Sequence, residues 1–183
     1  VSAPPESEQA AVYRSIAEIP GPERDLVVRT LDVGGDKPPA YLPLPLEENP
    51  FLGVRGIRLH REDPSLLAAQ VRAVLGVATL TRLHVMFPMV ATAPELREAK
   101  AVVAREKEAL GITAPVAVGI MVAVPSAALL AENLAAEVAF LSIGPNALAQ
   151  YTLAVDRGHP RLAAMAAGMP PAVPRPIALA VGG

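Results

Sequence analysis

Short apolar runs alternate with longer helical segments along most of this chain, and this alternation limits the possible folds more than any other feature. Residues 116–124 form an apolar run typical of a buried strand, and the Ala-rich residues 125–134 that follow favour a helix. Repeated pairs of this kind predict βα units around a parallel sheet. A barrel and an open, doubly wound sheet share the alternation, so the pattern alone leaves both folds possible.

The predicted elements follow from apolar periodicity and from residues that begin or end helices. Asp63 with Pro64 marks one helix start, Thr92 marks another, and Gly111 marks a helix end. The proline-rich residues 38–50 predict an ordered connection or an active-site loop. We predict helices over residues 6–17, 63–75, 92–110, 125–134 and 146–153, and about five or six strands, among them residues 25–33, 83–89, 116–124, 138–143 and 176–181.

The composition predicts one soluble domain over residues 1–183, because 52% of the residues are hydrophobic and 19% are charged. The net charge of -2, without a cluster of Lys and Arg, excludes a nucleic-acid partner. The absence of Cys excludes disulfides and thiolate metal sites, and it fits a cytoplasmic location. Pro115, Gly119 and Pro125 interrupt the longest apolar stretch, so we expect no membrane span.

Four motifs, in the same order along the chain, resemble those of one family. Residues 29–37 read RTLDVGGDK, residues 47–55 read EENPFLGVR, residues 86–89 read MFPM, and residues 142–157 run from SIG to DR. The set resembles the C-terminal, phosphoenolpyruvate-binding domain of the phosphoenolpyruvate-protein phosphotransferase family, which starts the bacterial sugar phosphotransferase system. Because the motifs cover nearly the whole chain, the resemblance is very specific.

The resemblance implies a (β/α)₈ barrel that binds phosphoenolpyruvate (PEP) and Mg²⁺ at the carboxyl ends of its strands. In the family, the phosphoryl group passes to a histidine on a separate phosphohistidine domain and then to a small carrier protein, and the barrel domain also pairs subunits into a homodimer. Measured against the family, this chain begins after the first strand and stops at about the seventh. We therefore expect a TIM-type barrel that is incomplete at both ends, with open edges that invite pairing.

The resemblance also identifies a set of substrate-binding residues. Planar guanidinium groups bind phosphate and carboxylate as bidentate partners, which suits PEP, and a helix start near the phosphate would point backbone N–H groups at it. The alternative is that the arginines form surface ion pairs with nearby carboxylates, namely Asp32, Asp36, Glu47 or Glu48. The residues that match the family's motifs are the arginines Arg29, Arg55 and Arg157, the basic residue Lys37 and the phosphate contact Asn146.

Two departures from the family pattern remove metal-binding carboxylates. Ala123 stands where the family's Gly-Ile-Met-Val-Glu has its Glu, and Ala147 stands where Gly-Thr-Asn-Asp has its Asp. Since Mg²⁺ usually needs one or two protein carboxylates beside phosphate and water, we predict that this chain does not bind Mg²⁺ by itself. If residues 176–183 form the family's next strand, Ala180 replaces its proton-donating Cys.

Two functions remain open at this point. The first is a PEP-binding domain of a PEP-protein phosphotransferase, impaired or inactive alone because its metal ligands are replaced. The second is a non-catalytic module derived from that family, which binds anions or joins subunits. The remaining candidates favour structural roles: His60, His84 and His159 share no metal-ligand spacing and are predicted to be solvated or capping, and Ser126 is predicted to cap a helix.

Overall fold

A computed structural model describes residues 3–34, 40–42, 44, 46–167 and 169–182. The strands in these ranges are β1 (Asp25–Arg29), β2 (Arg82–Phe87), β3 (Val116–Val122) and β4 (Phe140–Ile143). The helices are α1 (Glu6–Ala17), α2 (Leu59–Glu62), α3 (Pro64–Leu75), α4 (Ala93–Ala109), α5 (Pro125–Leu129), α6 (Ala131–Ala135), α7 (Pro145–Leu153), α8 (Ala163–Ala166) and α9 (Pro174–Gly182), with a 3₁₀ turn at Gly56–Arg58. None of these helices is both long enough and apolar enough to cross a lipid bilayer.

The four strands form one parallel sheet in the order β1-β2-β3-β4. Its register places Arg29 beside Met86, Met86 beside Gly119, and Gly119 beside Phe140. Within the described residues β1 and β4 are the two edges, and the curled sheet forms half of a barrel. The predicted α/β fold with a parallel sheet is therefore confirmed, while the TIM-type barrel that is incomplete at both ends stays a prediction.

The hydrophobic core lies between the central strands and the helices that follow them. Phe87, Ile120 and Val122 are fully buried on β2 and β3, and Val74 and Leu96 cover them from α3 and α4. Burial of one side chain of this size contributes about 1.5–3 kcal/mol. The core consists mainly of aliphatic residues, and it holds the strand ends that carry the site in a fixed arrangement.

The predicted helix starts are confirmed where a polar side chain caps the helix. The Asp63 side chain accepts a hydrogen bond from the Ser65 backbone N–H at 2.9 Å, at the start of α3. Thr92 and Glu95 form a reciprocal capping box at the start of α4. Such caps act through neighbouring residues alone, and for this reason they can be predicted from the sequence.

The predicted strand over residues 176–181 is wrong, because this segment lies within α9. Val173, Ile177 and Ala180 follow helical spacing, and the first and last of these are buried. A short apolar run fits either period, and here the helical one applies. The equivalence of Ala180 with the family's Cys required a strand, so it is withdrawn as well. The structure has four strands in its described part, fewer than the five or six predicted.

The segment after β3 also differs from the prediction. It forms two short helices, α5 and α6, that meet at Leu130, where the backbone leaves the helical region (φ -101°, ψ 14°). Ser126 does not cap α5, because Pro125 takes the first helical position and Val124 precedes it as the N-cap residue. Ser126 therefore already lies inside the helix.

Glu106 connects α4 to α3 through a buried carboxylate. It accepts hydrogen bonds from Arg72 Nη1 at 3.1 Å and from Arg105 Nε at 2.9 Å. Burial tends to raise the pKa of Glu106, but the two guanidinium groups outweigh burial and hold it below its ordinary value. Since the pKa is lowered in the folded state, the resulting stabilisation is present above the pKa of the unfolded chain and is lost as pH falls through the folded pKa.

We expect Glu106→Gln to lower the free energy of unfolding by about 1–2 kcal/mol at pH 7, because two charge-assisted hydrogen bonds are weakened. The loss should shrink as pH falls through the folded-state pKa of Glu106, which lies below its ordinary value, because the native carboxylate is then protonated. Urea denaturation across this pH range checks both points. The control is Glu108→Gln on the exposed face of the same helix; an equal effect of the two variants would contradict the expectation.

Candidate functional site

The carboxyl ends of the parallel strands bring the sequence motifs to one edge of the sheet. Arg29 is the last residue of β1, Ala123 directly follows β3, and Gly144 directly follows β4. Met89 lies two residues beyond the end of β2. We call this region the carboxyl edge. In α/β proteins, ligands bind at this edge of the sheet, because the loops that follow the strands converge there.

Arg29 lies over an uncharged part of the carboxyl edge. Its Nη1 is 3.9 Å from the Met121 sulfur, which is its only side-chain contact of hydrogen-bond type within the described residues. A Cβ at Gly144 would lie 2.9 Å from the same sulfur and 3.6 Å from the Ala123 Cβ, so these groups are in contact with one another. The Arg29 charge therefore has no carboxylate partner in the described part of the chain, and an added anion can approach it.

Arg55, in contrast, is held by a carboxylate. Its Nε and Nη2 each donate a hydrogen bond of 3.1 Å to the two Asp32 oxygens, and both side chains are about nine-tenths buried. The guanidinium also lies over the Phe51 ring, 5.6 Å from its centre. Burial acts to lower the pKa of Arg55, but the bonded Asp32 more than compensates and raises it. The ion-pair alternative predicted from the sequence thus describes the Arg55–Asp32 contact.

Tyr151 joins this pair to α7, and sequence reasoning missed it. Its hydroxyl donates to the Phe51 carbonyl and accepts from Arg55 Nη1 at 3.4 Å. Burial raises the pKa of Tyr151, so the phenol remains a hydrogen-bond donor at neutral pH. Nothing in the local sequence predicts these contacts, because Tyr151 and Arg55 are far apart along the chain.

The backbone at Gly56, next to Arg55, packs closely against Met89, just after the end of β2. Gly56 has a φ of 56°, and a Cβ there would lie 2.8 Å from the Met89 Cβ. Met89 itself is buried and has a φ of 63°, which is uncommon for a residue with a side chain. Such strained positions persist where the surrounding structure fixes them, and they concentrate at functional sites.

The remaining predicted site residues lie near this edge or outside the described ranges. Asn146 is exposed in the first turn of α7. Arg157 is exposed after α7, and its backbone N–H donates to the buried Gln150 side chain at 3.2 Å. Lys37 lies outside the described residues. The structure therefore brings Arg29 and Arg55 to the carboxyl edge, with Asn146 and Arg157 at the two ends of α7.

A cavity of about 320 Å³ lies beside Tyr151. Phe51, Leu52 and Val155 give it a mainly apolar lining, and Glu48 and Asp156 add carboxylates. Negative charge at this cavity opposes the entry of an acid. An acidic ligand is therefore expected at the arginines and not in this cavity.

The residues present do not fit a magnesium ion. Ala123 and Ala147 supply methyl groups where a metal site would need oxygen ligands. Across residues 3–34, 40–42, 44, 46–167 and 169–182, no group of three or more His, Cys, Asp or Glu side chains could hold a metal ion. We derive no catalytic step through a metal in this chain.

The structure places the three histidines in different surroundings. His159 Nδ1 accepts hydrogen bonds from the backbone N–H groups of Arg161 and Leu162, in the turn before α8, but it does not cap that helix, whose N-cap residue is Leu162. His84 lies within β2, half-buried, with its ring 5.4 Å from that of Phe140. His60 is a residue of α2, and its Nδ1 is buried.

The parallel sheet and its covering helices define an α/β protein, a class in which ligands bind at the carboxyl ends of the strands. Comparison with protein families makes the assignment specific. The model of the PEP-utilising enzyme, PEP-binding domain matches residues 1–182, and the chain belongs to this family.

Characterised relatives carry related names. The chain is 45% identical over 184 residues to the phosphoenolpyruvate-protein phosphotransferase of Bacillus subtilis (strain 168), covering 97% of this chain and 32% of that protein. It is 49% identical over 164 residues to the Staphylococcus aureus protein of the same name, covering 87% of this chain and 28% of that one. A multiphosphoryl transfer protein of Rhodobacter capsulatus is 45% identical over 175 residues, 94% of this chain and 21% of that protein. The chain thus spans no more than a third of the length of these relatives.

We expect Arg55→Met to cost about 3 kcal/mol of folding stability, because it leaves the buried Asp32 carboxylate without its partner. The control is Arg61→Met, which breaks the exposed Arg61–Glu98 pair and should cost less than about 1 kcal/mol. Thermal unfolding of both variants checks the difference. Similar losses in the two variants would mean that the Arg55–Asp32 pair contributes no more than a surface contact.

Proposed function

We propose that this chain is the PEP-binding domain of a phosphoenolpyruvate-protein phosphotransferase, and that it binds PEP through its arginines without a divalent cation. The observation that carries the proposal is the Arg29 guanidinium, which lies at the carboxyl edge without a carboxylate partner in the described residues. The family match over residues 1–182 and the names of the relatives support PEP as the acid.

The chemistry of PEP suits the groups at this edge. PEP carries a phosphate and a carboxylate, and guanidinium groups can bind each with two parallel hydrogen bonds. Arg29 supplies a cation without a carboxylate partner among the described residues, and its Nη1 contacts the Met121 sulfur, which packs against Gly144. Arg157, Asn146 and Lys37 complete the proposed binding set, on the strength of their positions in the family's motifs.

In this proposal, the chain by itself does not transfer the phosphoryl group of PEP efficiently. Phosphoryl transfer depends on positioning and on neutralising the charge that spreads over the phosphate oxygens. Alanine at positions 123 and 147 removes the carboxylates that would hold a cation for this purpose. A phosphohistidine domain and a small carrier protein are the partners that we propose from the family resemblance, and the cytoplasmic location remains a prediction.

A second candidate is a module that joins subunits. The strands β1 and β4 each pair on one side only within the described residues, and Val27 on β1 is half exposed. Unpaired strand edges are templates for pairing with another chain. We propose a homodimer on this basis. Light scattering coupled to gel filtration tests it, and a monomer at all concentrations up to about 100 μM would remove it.

We expect Arg29→Gln to weaken PEP binding at least tenfold, because charge-assisted hydrogen bonds contribute about 1.5–3 kcal/mol each. Isothermal titration calorimetry in EDTA measures the change. The matched control is Arg24→Gln, an exposed arginine at the opposite, amino end of β1, which should leave the affinity within about twofold. Equal weakening by the two variants would indicate general attraction to positive charge, and no weakening by Arg29→Gln would contradict the site.

Replacing both alanines tests the account of the missing metal ligands. We expect the double variant Ala123→Glu, Ala147→Asp to bind PEP more tightly when Mg²⁺ is added, since two carboxylates then flank the proposed phosphate position. The unaltered chain should show no Mg²⁺ effect beyond that of ionic strength. A control pair, Ala101→Glu with Ala104→Asp on the exposed face of α4, adds the same charges elsewhere. A Mg²⁺ effect on the unaltered chain would contradict the proposal.

A further inference from the structure

The guanidinium of Arg55 offers five N–H donors in a fixed plane, and the structure assigns three of them. Nε and one N–H of Nη2 point to Asp32, along the side-on edge of the group. One N–H of Nη1 points to the Tyr151 hydroxyl. One N–H on Nη1 and one on Nη2 have no partner among the described residues, and the one on Nη2 lies at the end of the group that faces away from the Arg55 backbone.

These remaining donors can bind the oxygens of a carboxylate or phosphate, which guanidinium groups recognise through their N–H groups. Arg55 can therefore keep Asp32 and still donate hydrogen bonds to an incoming acid. The Asp32 charge cancels that of Arg55, so the contribution of Arg55 to binding depends on direction more than on net charge.

The partners of Arg55 are themselves fixed. The Tyr151 hydroxyl is bound to the Phe51 carbonyl, and the Phe51 ring lies against the guanidinium. Asp32 lies three residues beyond the end of β1, next to Leu31, whose backbone N–H is bound to Gln70 of α3 at 2.8 Å. The segment after β1, the Phe51 segment and α7 thus all contact the Arg55 side chain.

We propose that Asp32 and Tyr151 are positioning residues: they hold Arg55 in one orientation and leave its remaining N–H donors for the carboxylate or phosphate of the bound acid. This inference rests on the proposed function, since it names residues that prepare that same site. An arginine that is already ordered loses little conformational freedom when the acid binds, and pre-organised sites bind more tightly for this reason.

The first experiment compares two tyrosine hydroxyls in the full chain. We expect Tyr151→Phe to weaken PEP binding by about three- to tenfold in calorimetry, the effect of one lost hydrogen bond to a charged group. The matched control is Tyr13→Phe, whose hydroxyl accepts from Gln70 at 2.9 Å and does not contact Arg55; it should change the affinity less than about twofold. Equal affinities of Tyr151→Phe and the unaltered chain would overturn the role of Tyr151.

A second variant separates positioning from simple competition. If Asp32 positions Arg55, Asp32→Asn weakens PEP binding, because an amide oxygen can accept only one side of the fork correctly. If Asp32 competes with PEP for Arg55, the same variant tightens binding, since a negative charge is removed from the site. Tighter binding by Asp32→Asn would overturn the proposal.

An NMR measurement on the chain without PEP tests the positioning of Arg55 separately from the proposed binding of PEP. Rotation about the Arg55 Nε–Cζ bond, followed by NMR of a ¹⁵N-arginine-labelled chain, should be slow in the unaltered chain, faster in Tyr151→Phe and fastest in Asp32→Asn. A purely structural role for Tyr151 would lower stability without changing this rotation. If Arg55 rotates equally fast in the unaltered chain and in Tyr151→Phe, the positioning role of Tyr151 is overturned. If rotation is slow but the chain does not bind PEP, the proposed function is contradicted, together with the claim that Arg55 is presented to PEP.

Discussion

Parallel pairing of the four strands is the constraint on which the site depends. Because all strands point the same way, the segments after β1, β2, β3 and β4 leave the sheet at one edge, and residues from distant parts of the sequence become neighbours. The buried aliphatic core beneath fixes where each strand ends. Arg29, Ala123 and Gly144 therefore form one surface, although the sequence separates them widely.

The two arginines at the carboxyl edge differ in how far their positive charges are neutralised, and this difference determines which of them can attract an anion. The Arg55 charge is neutralised by Asp32, whereas Arg29 meets only a thioether among the described residues. Alanine at positions 123 and 147 contributes no carboxylate that could hold a cation or repel an acid at these two places. We propose that this surface binds an anion and that, by itself, it does not stabilise phosphoryl transfer.

The sequence predicted those features that depend on neighbours along the chain. The capping residues Asp63 and Thr92 fixed two helix starts, and the apolar runs located all four strands, although β1 to β3 end before their predicted limits. The family motifs identified Arg29 and Arg55 as candidates, and the structure places both near the strand ends. The helix and strand predictions succeeded because local hydrogen bonding and periodicity were sufficient to make them, whereas the binding roles of Arg29 and Arg55 remain predictions.

The sequence-based predictions failed where contacts between distant segments determine the local structure. The short apolar run that became α9 fits both helix and strand periods, and packing of Val173 and Ala180 selected the helix. The contact of Tyr151 with Arg55 joins segments 96 residues apart, so no local pattern could predict it. Whether Arg55 is free or paired likewise depends on the path of the chain between β1 and the 3₁₀ turn.

The most direct test of the central claim is a crystal structure of this chain grown with PEP in the presence of EDTA. The account predicts density for PEP at the carboxyl edge, with Arg29 and the remaining N–H donors of Arg55 bound to its oxygens and the Arg55–Asp32 pair intact. PEP bound away from these guanidinium groups, or seen only when a divalent ion is added, would contradict it.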